Sequence, residues 1–322
     1  MGILVKGVWQ DAGYDTKTGE FVRWESAFRD RVTADGSSGF GAEPGRYHLY
    51  VSLACPWAHR TLILRALKGL DDAISVSIVD PYMGPEGWGF TDRPGCTPDT
   101  VNGTRFLREV YVKANPDYTG RVSVPVLWDK SRATIVNNES SEIIRMLNRE
   151  FDAFAKRRLH DLYPEALRAQ IDRWNELIYR TVNNGVYRAG FATAQDKYEA
   201  AVRELFDTLN TLEGHLGEHR FLCGAVITEA DWRLFTTLAR FDTVYYAHFK
   251  CNLRRLTDYE NLWGYARELY QIPGVAATVD LGQIKEHYYR SQTRVNPTGI
   301  VPLGPQLDFR SPHERGRLGA GR

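Results

Sequence analysis

Cys55 is the residue best placed for chemistry in this chain of 322 residues. It sits in S-L-A-C-P-W-A-H-R (residues 52–60), after the strand-like run Tyr47 to Ser52 and before Pro56, which opens an apolar-periodic stretch that reaches Lys68 and stops at Gly69. A proline at the first helical position lacks an N–H and presets φ, so the next free backbone donors point toward the sulfur. The partial positive charge of a helix start favours thiolate over thiol. The competing reading is a buried structural cysteine, the commoner fate of a single Cys; the strand-end and helix-start setting favours the reactive one. Three residues on stands Ala58, so no local second thiol completes a dithiol cycle. A monothiol that forms a mixed disulfide needs an external small thiol to release it, and glutathione is the abundant cytosolic one. Cys96, in a long loop, is the alternative resolving partner.

Two further features suit a site for that tripeptide. Val124–Pro125 lies between two strand-like runs. A cis bond there would turn a backbone N–H and C=O outward to pair with an extended peptide; a proline opening an edge strand is the equal alternative. Glu139–Ser140 opens a helix. Its free N–H groups and hydroxyl suit a carboxylate and its Glu an ammonium, both carried by the γ-glutamyl end of glutathione, and simple capping is the competing reading. Among 17 tyrosines, Tyr187 is singled out by N-N-G-V-Y-R, which puts it in a loop just past a helix ending at Asn183–Gly185. His48, His59 and His248 have no carboxylate partner or metal spacing nearby and read as structural or pocket-lining; no metal site is expected.

Hydrophobic periodicity supplies the elements that position these residues. Residues 1–45 are polar and without sustained period, an irregular N-terminal extension with Trp9, Phe21 and Trp24 as docking anchors. Residues 46–152 form a first domain: strand Tyr47 to Ser52, the Pro56 helix, strand Ile74 to Val79, a long loop over 80–120, strands Val122 to Trp128 and Ala133 to Val136, and a helix after Asn137–Asn138. The loop holds a short helix near Phe106–Lys113, and an interruption of that length inside a domain points to function. From about residue 155 the spacing turns helical, over 164–183, 195–218, 229–243, 259–270 and 282–290. T-E-A-D (Thr228 to Asp231) resembles a capping box. Residues 160–302 thus form an all-helical domain, and 303–322 read as a flexible tail.

Composition excludes several classes. A net charge of +1, with 43% hydrophobic and 25% charged residues, implies no pull toward nucleic acid or anionic lipid. No apolar run is long enough to span a membrane, and the first residues do not have the pattern of a secretory signal. Four widely spaced cysteines argue against a disulfide-stapled or zinc-knuckle domain and for a reducing, cytoplasmic setting.

Several motifs occur in order: C-P-W-A-H-R, the G-W-G-F of residues 87–90, R-V-S-V-P-V-L-W, N-N-E-S-S-E-I-I, N-N-G-V-Y-R-A-G-F-A, R-F-D-T-V-Y-Y-A-H-F-K-C-N and K-E-H-Y-Y-R-S-Q-T-R-V-N-P-T-G-I-V-P. Over roughly residues 5–305 the chain resembles the glutathionyl-hydroquinone reductases, the Xi-class relatives of omega-class glutathione transferases. The resemblance implies a thioredoxin-like domain followed by an all-helical one, a homodimer, and no tightly bound cofactor, with glutathione as co-substrate. It implies reduction of glutathionyl-hydroquinones to hydroquinones and glutathione disulfide. Cys55 is then the nucleophile, and Trp88, Arg121, Val122, Ser123, Val124, Glu139 and Ser140 hold glutathione. Tyr187 becomes the proton donor and acceptor toward the quinol, while Tyr245 and Tyr288 lower the thiol pKa; Tyr246 and Tyr289 are the adjacent alternatives.

A low thiol pKa alone contributes little. Moving a thiol from pKa about 8.5 to about 6 raises its ionised fraction at neutral pH roughly 30-fold, and the loss of nucleophilicity takes back roughly 13-fold. Orientation and general acid–base help must supply the rest. The rival readings are an omega-like dehydroascorbate reductase or deglutathionylase, and a non-catalytic interaction module. A module of that kind has no need of Cys at residue 55.

Overall fold

The structure is a computed structural model that describes residues 2–11 and 18–319. These fall into two compact units, one of residues 2–11 with 23–160 and the other of residues 18–22 with 161–319.

The first unit opens on a feature that the periodicity did not reveal. Residues read as irregular form a hairpin, β1 (Gly2–Val5) and β2 (Val8–Asp11). Its two-residue turn is Lys6–Gly7, with φ 47° and 73°. That is the type I′ geometry a right-twisted hairpin prefers, made here without the usual Asn-Gly signal and with only four residues per strand. The main sheet has β3 (Tyr47–Val51) at its centre, fully buried. β3 pairs in parallel with β4 (Ile74–Ile78) through the crossover helix α1 (Pro56–Lys68). Helix α1 ends on Gly69 in the left-handed region, whose N–H bonds back to the last turn. The long loop condenses into α2 (Leu107–Ala114) and the two-residue strand β5 (Gly120–Arg121), which pairs with β1. The run Val122 to Trp128 is not one strand. A cis Val124–Pro125 bond separates β5 from β6 (Val126–Asp129), which is antiparallel to β3. β7 (Thr134–Asn137) follows, and α3 (Ser140–Arg149) packs against α1.

The second unit is helical: α4 (Arg168–Ile178), α5 (Gly185–Gly190), α6 (Gln195–Glu218), α7 (Glu229–Leu238), α8 (Glu260–Gln271) and α9 (Leu281–Ser291). The T-E-A-D motif caps α7. Asp231 accepts from the Thr228 N–H and hydroxyl, the Leu222 N–H and the Tyr265 hydroxyl. Burial nonetheless pushes its carboxyl pKa up. Asn183–Gly185 does not end the helical path. The chain makes a π turn instead, with Asn184 N–H bonding to the Tyr179 carbonyl, because the buried Asn183 amide is used sideways on Arg233 O and Thr237 Oγ1. A second π turn, Phe241–Tyr245, follows α7.

Within the segment after Pro302, expected to be a flexible tail, Phe309 and Arg315 are buried. Phe309 lies between Trp263 and Tyr270, and Arg315 is 2% exposed. The Arg315 guanidinium pairs with Glu268 and donates to the carbonyls of Leu216, His219 and Arg220 at the end of α6. One buried cation thus satisfies several orphan carbonyls of a helix end, which a composition of Gly, Pro and Arg does not disclose.

Candidate active site

Cys55 is the N-cap of α1, extended at φ −79° and ψ 121°, with Pro56 at the first helical position. Its carbonyl already accepts the first helical bond, from His59 N–H at 3.0 Å. The thiol is half-buried and donates to the Val124 carbonyl at 3.6 Å. That carbonyl belongs to the cis Val124–Pro125 peptide, and among the described residues the Val124 N–H has no acceptor. An edge with one carbonyl beside the sulfur and one open N–H has the donor and acceptor pattern that an extended peptide pairs with.

The start of α3 joins the same cluster. Arg60, buried on α1, donates to the Ser140 hydroxyl at 3.4 Å and stacks over the Trp57 ring. Glu139 caps α3, accepting from the Ser141 N–H at 3.0 Å and its hydroxyl at 2.8 Å. Burial opposes the Glu139 charge. The Ser141 and Ser26 hydrogen bonds and the Arg60 cation outweigh it and hold the carboxyl below the usual range. The capping reading of Glu139–Ser140 thus holds, and Glu139 stays charged while it caps. Arg121 lies on β5, and Val122 and Ser123 are half-buried in the bend before Val124. Trp88 sits in the long loop, 6% exposed, with its carbonyl taking the Leu107 N–H.

Sequence reasoning missed Tyr111, whose hydroxyl donates to the Ser123 carbonyl at 2.8 Å and accepts from the Asn138 amide. It ties the bend to the α3 cap, and the only available signal was a lone aromatic inside the short helix α2. Arg60 was also missed, though a cation among apolar neighbours inside C-P-W-A-H-R is itself a signal.

In the second unit, Tyr187 stands in α5, not in a loop, because the π turn continues the helix past Asn183. Its hydroxyl meets that of Tyr288 at 2.6 Å, and Tyr288 meets Tyr245 at 3.0 Å. Among the described residues, Tyr246 and Tyr289 take no part in this chain of hydroxyls. Burial, then the neighbouring phenols, push the Tyr288 pKa well above its ordinary value, so its hydroxyl keeps its proton at neutral pH. Phe249 packs on all three rings and reaches α5 because residue 190 is glycine; a Cβ there would stand 2.2 Å from the ring. His48 and His248 are buried and bonded to Ser75 and Gln292. Among the described residues no helix is long and apolar enough to cross a membrane.

Comparison with known proteins gives this geometry its class. The glutathione S-transferase N-terminal domain family matches residues 54–150, and the C-terminal domain family matches 195–268. The fold is that of a two-domain glutathione transferase. Glutathionyl-hydroquinone reductase YqjG of Escherichia coli K12 is 56% identical over 324 residues, 98% of each chain. Its glutathione-bound structure superposes with a TM-score of 0.90 over 98% of this chain and 99% of that one, at 53% identity. Glutathionyl-hydroquinone reductase PcpF of Sphingobium chlorophenolicum is 55% identical over 95% of this chain and 96% of its own. The Xi-class transferase of Natrialba magadii gives a TM-score of 0.93 at 51% identity, over 99% and 97% of the two chains. The chain belongs to the glutathionyl-hydroquinone reductases, the Xi class of glutathione transferases.

Proposed function

We propose that the chain reduces glutathionyl-hydroquinones to hydroquinones by way of a Cys55–glutathione mixed disulfide. The carrying observation is the half-exposed Cys55 sulfur at the start of α1, 3.6 Å from the Val124 carbonyl, with Ala58 where a dithiol enzyme has its second cysteine. The Cys55 thiolate attacks the glutathionyl sulfur of the conjugate. An S–S bond forms, the C–S bond breaks, and the electron pair passes to the ring, which is thereby reduced. Expulsion of an aromatic carbon is slow, so the quinol reacts through its keto tautomer: Tyr187 hands a proton to the ring carbon that bears sulfur and takes up the one the quinol oxygen releases, and that carbon then departs as an enolate, which makes the ring aromatic again. A proton from solvent on that oxygen completes the hydroquinone. A second glutathione thiolate attacks the glutathionyl sulfur, releasing glutathione disulfide and regenerating Cys55.

The chemistry each group contributes differs. The open Val124 N–H and the Glu139–Ser140 cap orient the tripeptide, and orientation is worth several kcal/mol. Proton transfer by Tyr187, backed by the Tyr288 and Tyr245 hydroxyls, is worth ~10²–10⁴-fold. Trp88, Arg121, Val122 and Ser123 complete the tripeptide's surroundings. The reading includes a homodimer in a reducing cytoplasm, where the free thiols of Cys96, Cys223 and Cys251 persist.

The test is mass spectrometry after one turnover with a glutathionyl-quinol and no free glutathione. One glutathionyl group on Cys55 is expected. An unmodified Cys55 alongside released hydroquinone would exclude the mixed disulfide.

A further inference from the structure

The transferase N-terminal domain match begins at residue 54, so β1, β2 and the segment that follows them lie outside it. Those residues are fastened to the elements that carry the proposed glutathione contacts. Trp9 of β2 donates its indole N–H to the Pro85 carbonyl at 2.9 Å. Its ring lies 3.0 Å from where a Cβ on Gly87 would stand, and Gly87 turns beneath it at φ 83°. The Arg108 guanidinium of α2 lies over the indole, 5.4 Å from the ring centre, and pairs with Glu86. Trp88 is the next residue of the same loop tip. On the neighbouring strand, Arg121 pairs with Ile3 and donates to the Gly2 carbonyl at 3.2 Å. Ser26 donates to Glu139 Oε2 at 3.0 Å, while Phe28 and Asn138 are joined by two hydrogen bonds.

Three separate glutathione elements, the Trp88 loop, β5 and the α3 cap, are therefore each held from outside the domain that the family match defines. We infer that residues 2–11 and 23–28 are the outer wall of the glutathione site and set its affinity, with Trp9 positioning the Trp88 loop and Ser26 positioning the Glu139 carboxylate. Neither residue touches the reacting sulfur. Both act by ordering groups before the tripeptide arrives, and preorganisation lowers the entropic cost of binding without altering the chemical step. The effect belongs in KM for glutathione, with kcat at saturation left alone. This inference rests on the proposed function.

The experiment compares wild type, Trp9→Ala, Trp9→Phe, Ser26→Ala and Phe309→Ala in the full chain, reading kcat, KM for glutathione and Tm. Phe309 packs in the helical unit and serves as a destabilised control. Trp9→Ala is expected to raise KM about tenfold and Ser26→Ala about threefold, with kcat within about twofold. Trp9→Phe, which keeps the ring on Gly87, is expected to recover most of the affinity, and Phe309→Ala to lower Tm with KM unchanged. Should Trp9→Ala fail to fold, Ser26→Ala carries the test, since it removes one hydroxyl and opens no cavity. Unchanged KM in folded Trp9→Ala and Ser26→Ala, or an equal rise in Phe309→Ala, would overturn the inference. A wild-type chain that does not bind glutathione would overturn the proposed function, and the wall with it.

Discussion

The two units build their candidate chemistry from different materials. In the first, it lies in backbone: a helix start beside a sulfur, a cis peptide whose carbonyl faces that sulfur, a second helix start capped by a carboxylate. In the second it comes from side chains alone, three phenols in hydroxyl contact around Tyr288, set by two π turns and a glycine that admits Phe249. Backbone sites are specified locally and survive changes in packing. A chain of buried hydroxyls exists only when distant segments meet, so it is the more sensitive to how its unit is packed.

The largest expected effect separates the two at once. Cys55→Ser should lower quinol-conjugate reduction at least ~10³-fold, since a hydroxyl cannot form the mixed disulfide. Tyrosine contacts and Tm should stay as they are, which near-ultraviolet dichroism and calorimetry check. Retained turnover would move the nucleophile elsewhere.

Acid should then act on both units alike. His48 in the first and His248 in the second are each buried, and burial pushes each pKa down from 6.5 to about 4. Each is neutral in the folded chain, so the unfolded chain takes up the proton first as pH falls. Stability is full above pH 6.5 and is lost progressively down to pH 4. The loss is up to about 3 kcal/mol for each histidine. Urea midpoints between pH 7 and 4 test this. Replacing His248 with Gln should flatten the helical unit's share, and an unchanged slope would show that the histidine is hydrated in the folded state.

How much of this was legible follows the same division. The helix starts at Cys55–Pro56 and Glu139–Ser140 could be read because caps and prolines write their geometry into neighbouring residues, whereas at Val124–Pro125 a cis bond and an edge-strand proline stood equal. The hairpin at residues 2–11 could not, since Lys6–Gly7 is a weak turn signal and four-residue strands show little alternation. Tyr187 was assigned to a loop because Asn-Asn-Gly ordinarily stops a helix, and the π turn that carries the chain through is paid for by tertiary bonds of Asn183. Arg315 was hidden for a related reason: nothing local marks a tail residue whose partners are carbonyls about a hundred positions earlier. Which of two adjacent tyrosines enters the hydroxyl chain is likewise decided by helix phase, and neighbouring letters do not disclose it.

Breaking the hydroxyl chain sharpens the comparison next. Tyr187→Phe should lower kcat on a glutathionyl-quinol by ~10²-fold or more while leaving the exchange of a small glutathione mixed disulfide within about twofold. The second substrate has no aromatic carbon to expel, so it needs the sulfur and not the phenol. Equal losses on both substrates would mean that Tyr187 supports the fold or the tripeptide site, and the division of labour between the units would fail.

The smallest effect concerns the cap. Glu139→Gln keeps an acceptor for the Ser141 N–H, so α3 should remain capped, and only the negative charge is lost. Glutathione KM should rise about five- to tenfold, the worth of one charge-assisted hydrogen bond to an ammonium. Because the Glu139 pKa lies below the usual carboxylate range, the wild-type carboxylate stays ionised from pH 7 to 5. Calorimetric affinity for glutathione should therefore be flat over that interval, even as protonation favouring the unfolded chain erodes stability through His48. A Glu139 that instead bonded only its own helix would leave the Gln variant's affinity at the wild-type level. The α3 start would then be scaffold, and the backbone-built unit would hold its tripeptide through the Val124 strand alone.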